Sequence, residues 1–161
     1  GESAGDGSGF VSLSSDGLTI AIGAWKNDGT ATDAGHVRVY EYANGAWSQL
    51  GSDIDGEAAG DNSGWSVSLS GDGTRLSVGA YLNYGTTGSQ SGHVRVFEYA
   101  NGSWIQLGAD IDGEASSDYS GYSTQLSRDG TTLSVGAYYN DGSGNVSGHV
   151  RVFDNLNTTG L

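Results

Sequence analysis

The chain has 161 residues, about one domain's worth, with 29 Gly, no Pro, no Cys, no Met and only 16% charged residues. Acids outnumber bases 19 to 6, for a formal charge of −13; this argues against nucleic acid, whose phosphates call for clustered Lys and Arg, and against an anionic membrane surface. No apolar run approaches the roughly 20 residues of a spanning helix, no signal peptide is visible, and without Cys there is no disulfide framework, thiolate zinc site or Cys nucleophile.

One unit is copied three times. The string Gly-His-Val-Arg-Val-aromatic recurs with its histidine at His36, His93 and His149, 57 and 56 residues apart. Trp47 and Trp104, the Gly-Ala pairs at Gly23, Gly79 and Gly136, and the turn acids Asp16, Asp72 and Asp129 keep the same phase. The units run over about 1–55, 56–112 and 113–161. In the second unit, residues 65–70 alternate apolar with small polar residues, and Gly71, Asp72 and Gly73 make a turn. A second alternating strand over 74–78 ends at Gly79 and Ala80. A variable loop over 82–92 leads to a third strand over 93–99. The Asn101-Gly102 turn feeds a fourth strand beginning near Trp104, and a connector from Asp110 enters the next unit. No stretch sustains a 3.6-residue period, so the expected fold is all-β with essentially no helix.

Four strands in some 57 residues, repeated in tandem, suit the antiparallel blades of a β-propeller, with small Ser and Gly at a crowded inner wall and Trp at the rim. A β-trefoil, also built from three four-stranded units, is the alternative. Residues 64–80 resemble the FG-GAP repeat that builds the head of integrin α-chains and many surface proteins. Gly9-Phe10, Gly64-Trp65 and Gly121-Tyr122 stand where that family has Phe-Gly. The pairs at Gly23, Gly79 and Gly136 stand for Gly-Ala-Pro, with Trp25, Tyr81 and Tyr138 in place of Pro. Residues 92–99 and 103–107 resemble the later part of the short, calcium-poor variety. The resemblance implies an extracellular or cell-surface binding or adhesion module and not an enzyme. Integrin members hold calcium in a longer acidic loop between their first two strands. Here one carboxylate per turn remains, at Asp16, Asp72 and Asp129, too few for calcium's six to eight oxygens.

Residues 1–9 match 56–64, so the chain opens partway through a connector, and no Trp-bearing strand follows Phe153. Three blades do not close a ring of four to eight. The expectation is self-association, as a six-bladed dimer or a filament, or membership of a longer array. A structural protein whose units assemble into a surface filament or matrix is accordingly the alternative to the binding module.

Five groups of residues are candidate sites. Trp25, Tyr81, Tyr84, Tyr138 and Tyr139 enter or flank the variable loops. Amid Asn, Asp and Thr they either offer stacking faces to a glycan or a protein partner, or plug the blade ends. Trp47 and Trp104 read as core. Asp53, Asp55, Glu57 and Asp61, echoed by Asp110, Asp112, Glu114 and Asp118, could gather calcium, the one possible cofactor and the basis of a calcium-dependent lectin reading; otherwise they cap turns and keep the surface soluble. His36, His93 and His149 read as structural, each a blade apart. Arg38, Arg95 and Arg151, half of all six bases, share their face with the histidines and are expected to pair with a turn or connector carboxylate. Asn101, Asn145 and Asn157 fit the N-glycosylation pattern, which arises by chance in such a composition. The acidic pairs are copied between units, whereas catalysis normally needs one asymmetric constellation.

Overall fold

Short alternating segments separated by Gly- and Asp-rich turns fold into antiparallel sheets in a computed structural model that describes residues 1–156. The first repeat forms β1 (Ser8–Leu13), β2 (Thr19–Ala24), β3 (His36–Ala43), β4 (Ala46–Gln49) and the short β5 (Ile54–Asp55). The second forms β6 (Ser66–Leu69), β7 (Arg75–Ala80), β8 (His93–Ala100), β9 (Ser103–Gln106) and β10 (Ile111–Asp112). The third forms β11 (Ser120–Leu126), β12 (Leu133–Ala137) and β13 (His149–Phe153). No helix occurs among the described residues.

In the first two sheets the strands follow chain order as a four-stranded meander, and the third sheet has the first three strands only. The Asp-Ile-Asp connector, read from sequence as a carboxylate-bearing turn, instead adds a fifth strand. Ile54 pairs with Val37, and Ile111 with Val94. Its alternation buries Ile54 and Ile111 while the flanking acids face outward, the period-2 pattern of a half-buried strand.

The turns between first and second strands close as expected. Asp16 accepts from Ser14 Oγ at 2.6 Å and Leu18 N at 2.9 Å, and Asp72 and Asp129 repeat the arrangement with Ser70 and Ser127. For Asp16 and Asp129 these serine bonds, followed by the backbone N–H bonds, hold the carboxyls below their ordinary values. Asp72 is also lowered: burial pushes upward and its bonds from Ser70 and Thr74 outweigh it.

The sheets stack face to face. One face of the first sheet, Ala21, Val37 and Val39, packs with Ile54 against Leu69, Leu76, Val78 and Phe97 of the second. The second sheet repeats the contact, with Val94 and Val96 against Leu126, Leu133 and Val135. Between first strands, Leu69 N donates to Ser12 Oγ and Leu126 N to Ser68 Oγ, both at 2.9 Å. Glycine lets the backbones meet: a Cβ on Gly23 would lie 1.9 Å from Gly64 O, and one on Gly79 2.2 Å from Gly121 O. This is the blade stacking of a β-propeller, here three blades of one. Each repeat closes as its own sheet, which is not the β-trefoil arrangement.

Trp47 corrects its expected core position. Trp104 packs against the core between the first two blades and donates from Nε1 to Leu50 O at 2.8 Å, so the rim tryptophan leans on the blade before its own. Among the described residues no blade stands before the first, and Trp47 remains 47% exposed, in ring contact with Tyr42.

Candidate functional site

The loops between second and third strands share one face with the connectors. Thr30 Oγ1 donates to Gly56 O, Thr87 Oγ1 to Gly113 O, and Asn62 Nδ2 to the carbonyls of Trp25 and Asp33. Asn83 Nδ2 donates to Asp61 at 2.9 Å and Asn140 Nδ2 to Asp118 at 2.8 Å, fastening each loop to the connector before it.

On this scaffold eight aromatic rings touch in series. Trp65 is the hub, with ring centroids 4.7 Å from Tyr81, 4.9 Å from Phe10, 5.2 Å from Trp25 and 5.6 Å from Tyr122. From there the contacts run Tyr81 to Tyr119, Tyr119 to Tyr139, Tyr139 to Tyr138, and Tyr138 back to Tyr122. Tilted and edge-on pairs dominate, the geometry aromatic quadrupoles favour. The rings are not sealed: Trp25, Trp65, Tyr81 and Tyr119 are half-buried, Phe10 and Tyr122 more open, and Tyr138 is 56% exposed. Lys26 Nζ lies 4.7 Å over Trp25. Burial, then the neighbouring phenols, raises the Tyr81 hydroxyl above its ordinary value.

Four of the five predicted loop aromatics, Trp25, Tyr81, Tyr138 and Tyr139, join this strip. Tyr84 stands 67% exposed and makes none of the ring contacts seen among the described residues. The strip also recruits Phe10, Trp65 and Tyr122. Their positions were legible as the Phe-Gly element, but their convergence with the loop rings was not. Tyr119 carried no repeat signal, since Asn62 occupies its place in the preceding connector.

The connector acids do not converge as one calcium loop. Asp53 faces back to Arg38, with Nε 3.1 Å from both of its oxygens. Asp55 offers its main-chain carbonyl to Arg95 Nη2 at 2.6 Å. Glu57 faces forward, 3.6 Å from Arg95 Nη1, and Asp61 is buried, capping Ala58 N and holding Asn83. In the second copy Asp110 accepts from Gln106, Asp112 from Thr86 Oγ1, and Asp118 from Ala115 N and Asn140, while Glu114 meets His149 at 2.8 Å.

Two acids from successive connectors flank each of the first two histidines, which the sequence spacing did not reveal. Glu2, His36 and Asp53 form one cluster, and Glu57, His93 and Asp110 the next, with candidate ligand atoms within 4.8 Å of one another. An arginine already supplies positive charge at each: Arg38 bonds Asp53 and Glu2, and Arg95 neighbours Glu57. Arg151 bonds Asp112 O and lies 3.3 Å from Ser120 Oγ. Burial pulls the Arg38 pKa down, but Asp53 and then Tyr40 together outweigh it and leave the guanidinium raised above its ordinary value. Burial, reinforced by Arg95, lowers His93 against the opposite pull of Asp110 and Glu57. Asn101, in the left-handed turn between β8 and β9, and Asn145 are exposed; Asn157 lies outside the described residues.

Residues 53–97, from the first connector through most of β8, match the FG-GAP repeat family. No curated protein matches the chain. Among solved structures, the whole chain superimposes on 40% of a protein assigned as a 6-phosphogluconolactonase from Bacteroides uniformis ATCC 8492, with a TM-score of 0.66 and 16% identity. Ninety per cent of it covers 38% of the periplasmic gluconolactonase PpgL of Pseudomonas aeruginosa (TM-score 0.52, 20% identity), and 96% covers 14% of the tricorn protease (TM-score 0.52, 10% identity). The chain thus spans well under half of each. At these identities the likeness is one of fold.

Proposed function

We propose that this chain is a non-enzymatic binding module of the extracellular space or cell surface, holding neutral glycans on the aromatic strip of its loop face. The observation that carries this reading is the series of eight touching, half-open rings, bordered by Asn- and Thr-bearing loops. Sugar rings present apolar C–H faces that stack on aromatic planes, while their hydroxyls take hydrogen bonds from surrounding polar groups. A chain of charge −13 repels anionic ligands and leaves neutral ones unaffected. A strip spanning three blades also permits several weak contacts along one oligosaccharide, which sum to avidity. The His–acid clusters support the non-enzymatic reading, because they recur from blade to blade and are knitted to arginines.

The test is titration of tryptophan fluorescence with a panel of neutral oligosaccharides. Trp25 and Trp65 lie in the strip and serve as reporters. Saturable quenching is expected, weakened in Tyr138→Ala by about 1 kcal/mol, roughly five-fold in Kd. A flat response across the panel refutes glycan binding, and quenching unaltered by Tyr138→Ala moves it off the strip.

A further inference from the structure

The two outer blades present opposite halves of the same interface. In the second and third blades the face carrying the Leu-x-Val pair of the second strand is sealed: Leu76, Val78, Leu133 and Val135 are at most 1% exposed. On the first blade the equivalent Ile20 and Ile22 are only half-buried, and beside them Val11 is 58% and Leu13 56% exposed, whereas Leu69 and Leu126 at the position of Leu13 are buried. The opposite face shows the converse. Val37 and Val39, and then Val94 and Val96, are at most 1% exposed, yet Val150 and Val152 on the third blade are 65% and 62% exposed.

The backbone is matched as well. Gly35 pairs with Ser63 and Gly92 with Ser120 as isolated bridges between neighbouring blades, at φ of 77° and 71°. Gly148 holds the same conformation at 72°, and Ser8 occupies the position of Ser63 and Ser120. Gly136, the counterpart of Gly23 and Gly79, meets no atom of another blade.

We infer that these faces dock on each other in a second copy of this chain, head to tail, with Val150 and Val152 of one copy seated on Val11, Leu13, Ile20 and Ile22 of the next. The contact continues an interface the chain already makes twice, with the same residue types in the same places. Such a contact is heterologous and ends only by closing; two copies bring six blades, within the four to eight of closed propellers.

Light scattering on the chain at physiological salt tests this, with screening over about 8 Å to mute the mutual repulsion of two acidic copies. The expected mass is twice the 16.5 kDa of one chain. Leu13→Asp and Val152→Asp, both at exposed positions, each return 16.5 kDa with unchanged circular dichroism, and mixing the two variants restores a 1:1 complex through the one intact pair of faces. Higher multiples that both variants reduce to 16.5 kDa support the same docking, in open rather than closed form. A wild-type monomer up to about 1 mM, the weak end of specific association, overturns the inference, as does an oligomer that survives both substitutions.

Discussion

Gly79→Ala isolates what holds one blade against the next. Gly79 lies in β7, paired with Ser66 and Val94, and its φ is outside the left-handed region, so alanine meets no backbone strain. The obstacle is the neighbouring blade. The new Cβ would stand 2.2 Å from Gly121 O and 2.2 Å from Ser66 Oγ, more than 1 Å inside contact distance. Ser66 is already committed, donating to the same Gly121 O at 2.7 Å. Relief therefore requires the third blade to move off the second, loosening the core of Val94, Val96, Leu126 and Leu133. Overpacking of this kind costs about 1–3 kcal/mol and the lost hydrogen bond about 1, against roughly 0.4–1 returned by restricting the unfolded chain. A net loss of about 2–3 kcal/mol is expected, or roughly 5–10 °C in Tm for a chain of this size. Gly136→Ala is the matched control. It occupies the same repeat position, but its nearest neighbour is Ser123 Oγ at 2.4 Å, a side-chain tip free to rotate. It should be neutral or slightly stabilising. Urea unfolding of both variants in the Leu13→Asp background, which keeps a second copy away, makes the comparison. Loss in the two variants equal within about 0.5 kcal/mol, the reach of an ordinary surface substitution, would refute the argument.

Three further outcomes are expected. Ser68→Ala should cost about 1–3 kcal/mol in urea unfolding, because the buried Ser68 Oγ accepts from Leu126 N at 2.9 Å and Gln125 Nε2 at 3.1 Å, leaving a backbone donor orphaned between blades. Arg95→Lys should lower Tm by several degrees, since an ammonium cannot reproduce the planar fork that reaches Asp55 O, Ser63 Oγ and Glu57 together; an unchanged Tm would show that packing of the stem is all that matters. The pH dependence should have two acid limbs. His93 is lowered from 6.5, so the unfolded state binds its proton first; stability is full above pH 6.5 and falls below it, by up to about 1.4 kcal/mol per pH unit until the folded value is reached. His93→Asn should flatten that limb. Asp16, Asp72 and Asp129, lowered from 3.8, contribute only to a second decline beginning below that pH.

What the linear order of residues determined by itself is the repeat and the strand plan. The alternation over 66–69 and 75–80, the Asp-Gly turns and the Asn101-Gly102 turn are governed by neighbours within a few residues, so local rules suffice to read them. The two-sided character of the third strand was equally open, since Val37 and Val39 alternate with His36, Arg38 and Tyr40. Contacts made across a period of some 57 residues were not. Ile54 and Ile111 become strand because a valine strand of their own blade lies alongside. Glu57 turns toward the histidine and arginine of the following blade while Asp53 turns to those of its own, so a run of acids that looks like one cluster is divided between two. The tertiary structure also decided the exposure of chemically equivalent residues. Val39, Val96 and Val152 occupy one place in the repeat, yet two are sealed and one is open, because burial depends on which blade stands opposite. The aromatic strip is of the same kind. Each ring but Tyr119 could be placed on a strand end or loop from sequence, but Trp65 touches Phe10 of the first blade and Tyr122 of the third only because stacked blades bring their first strands together.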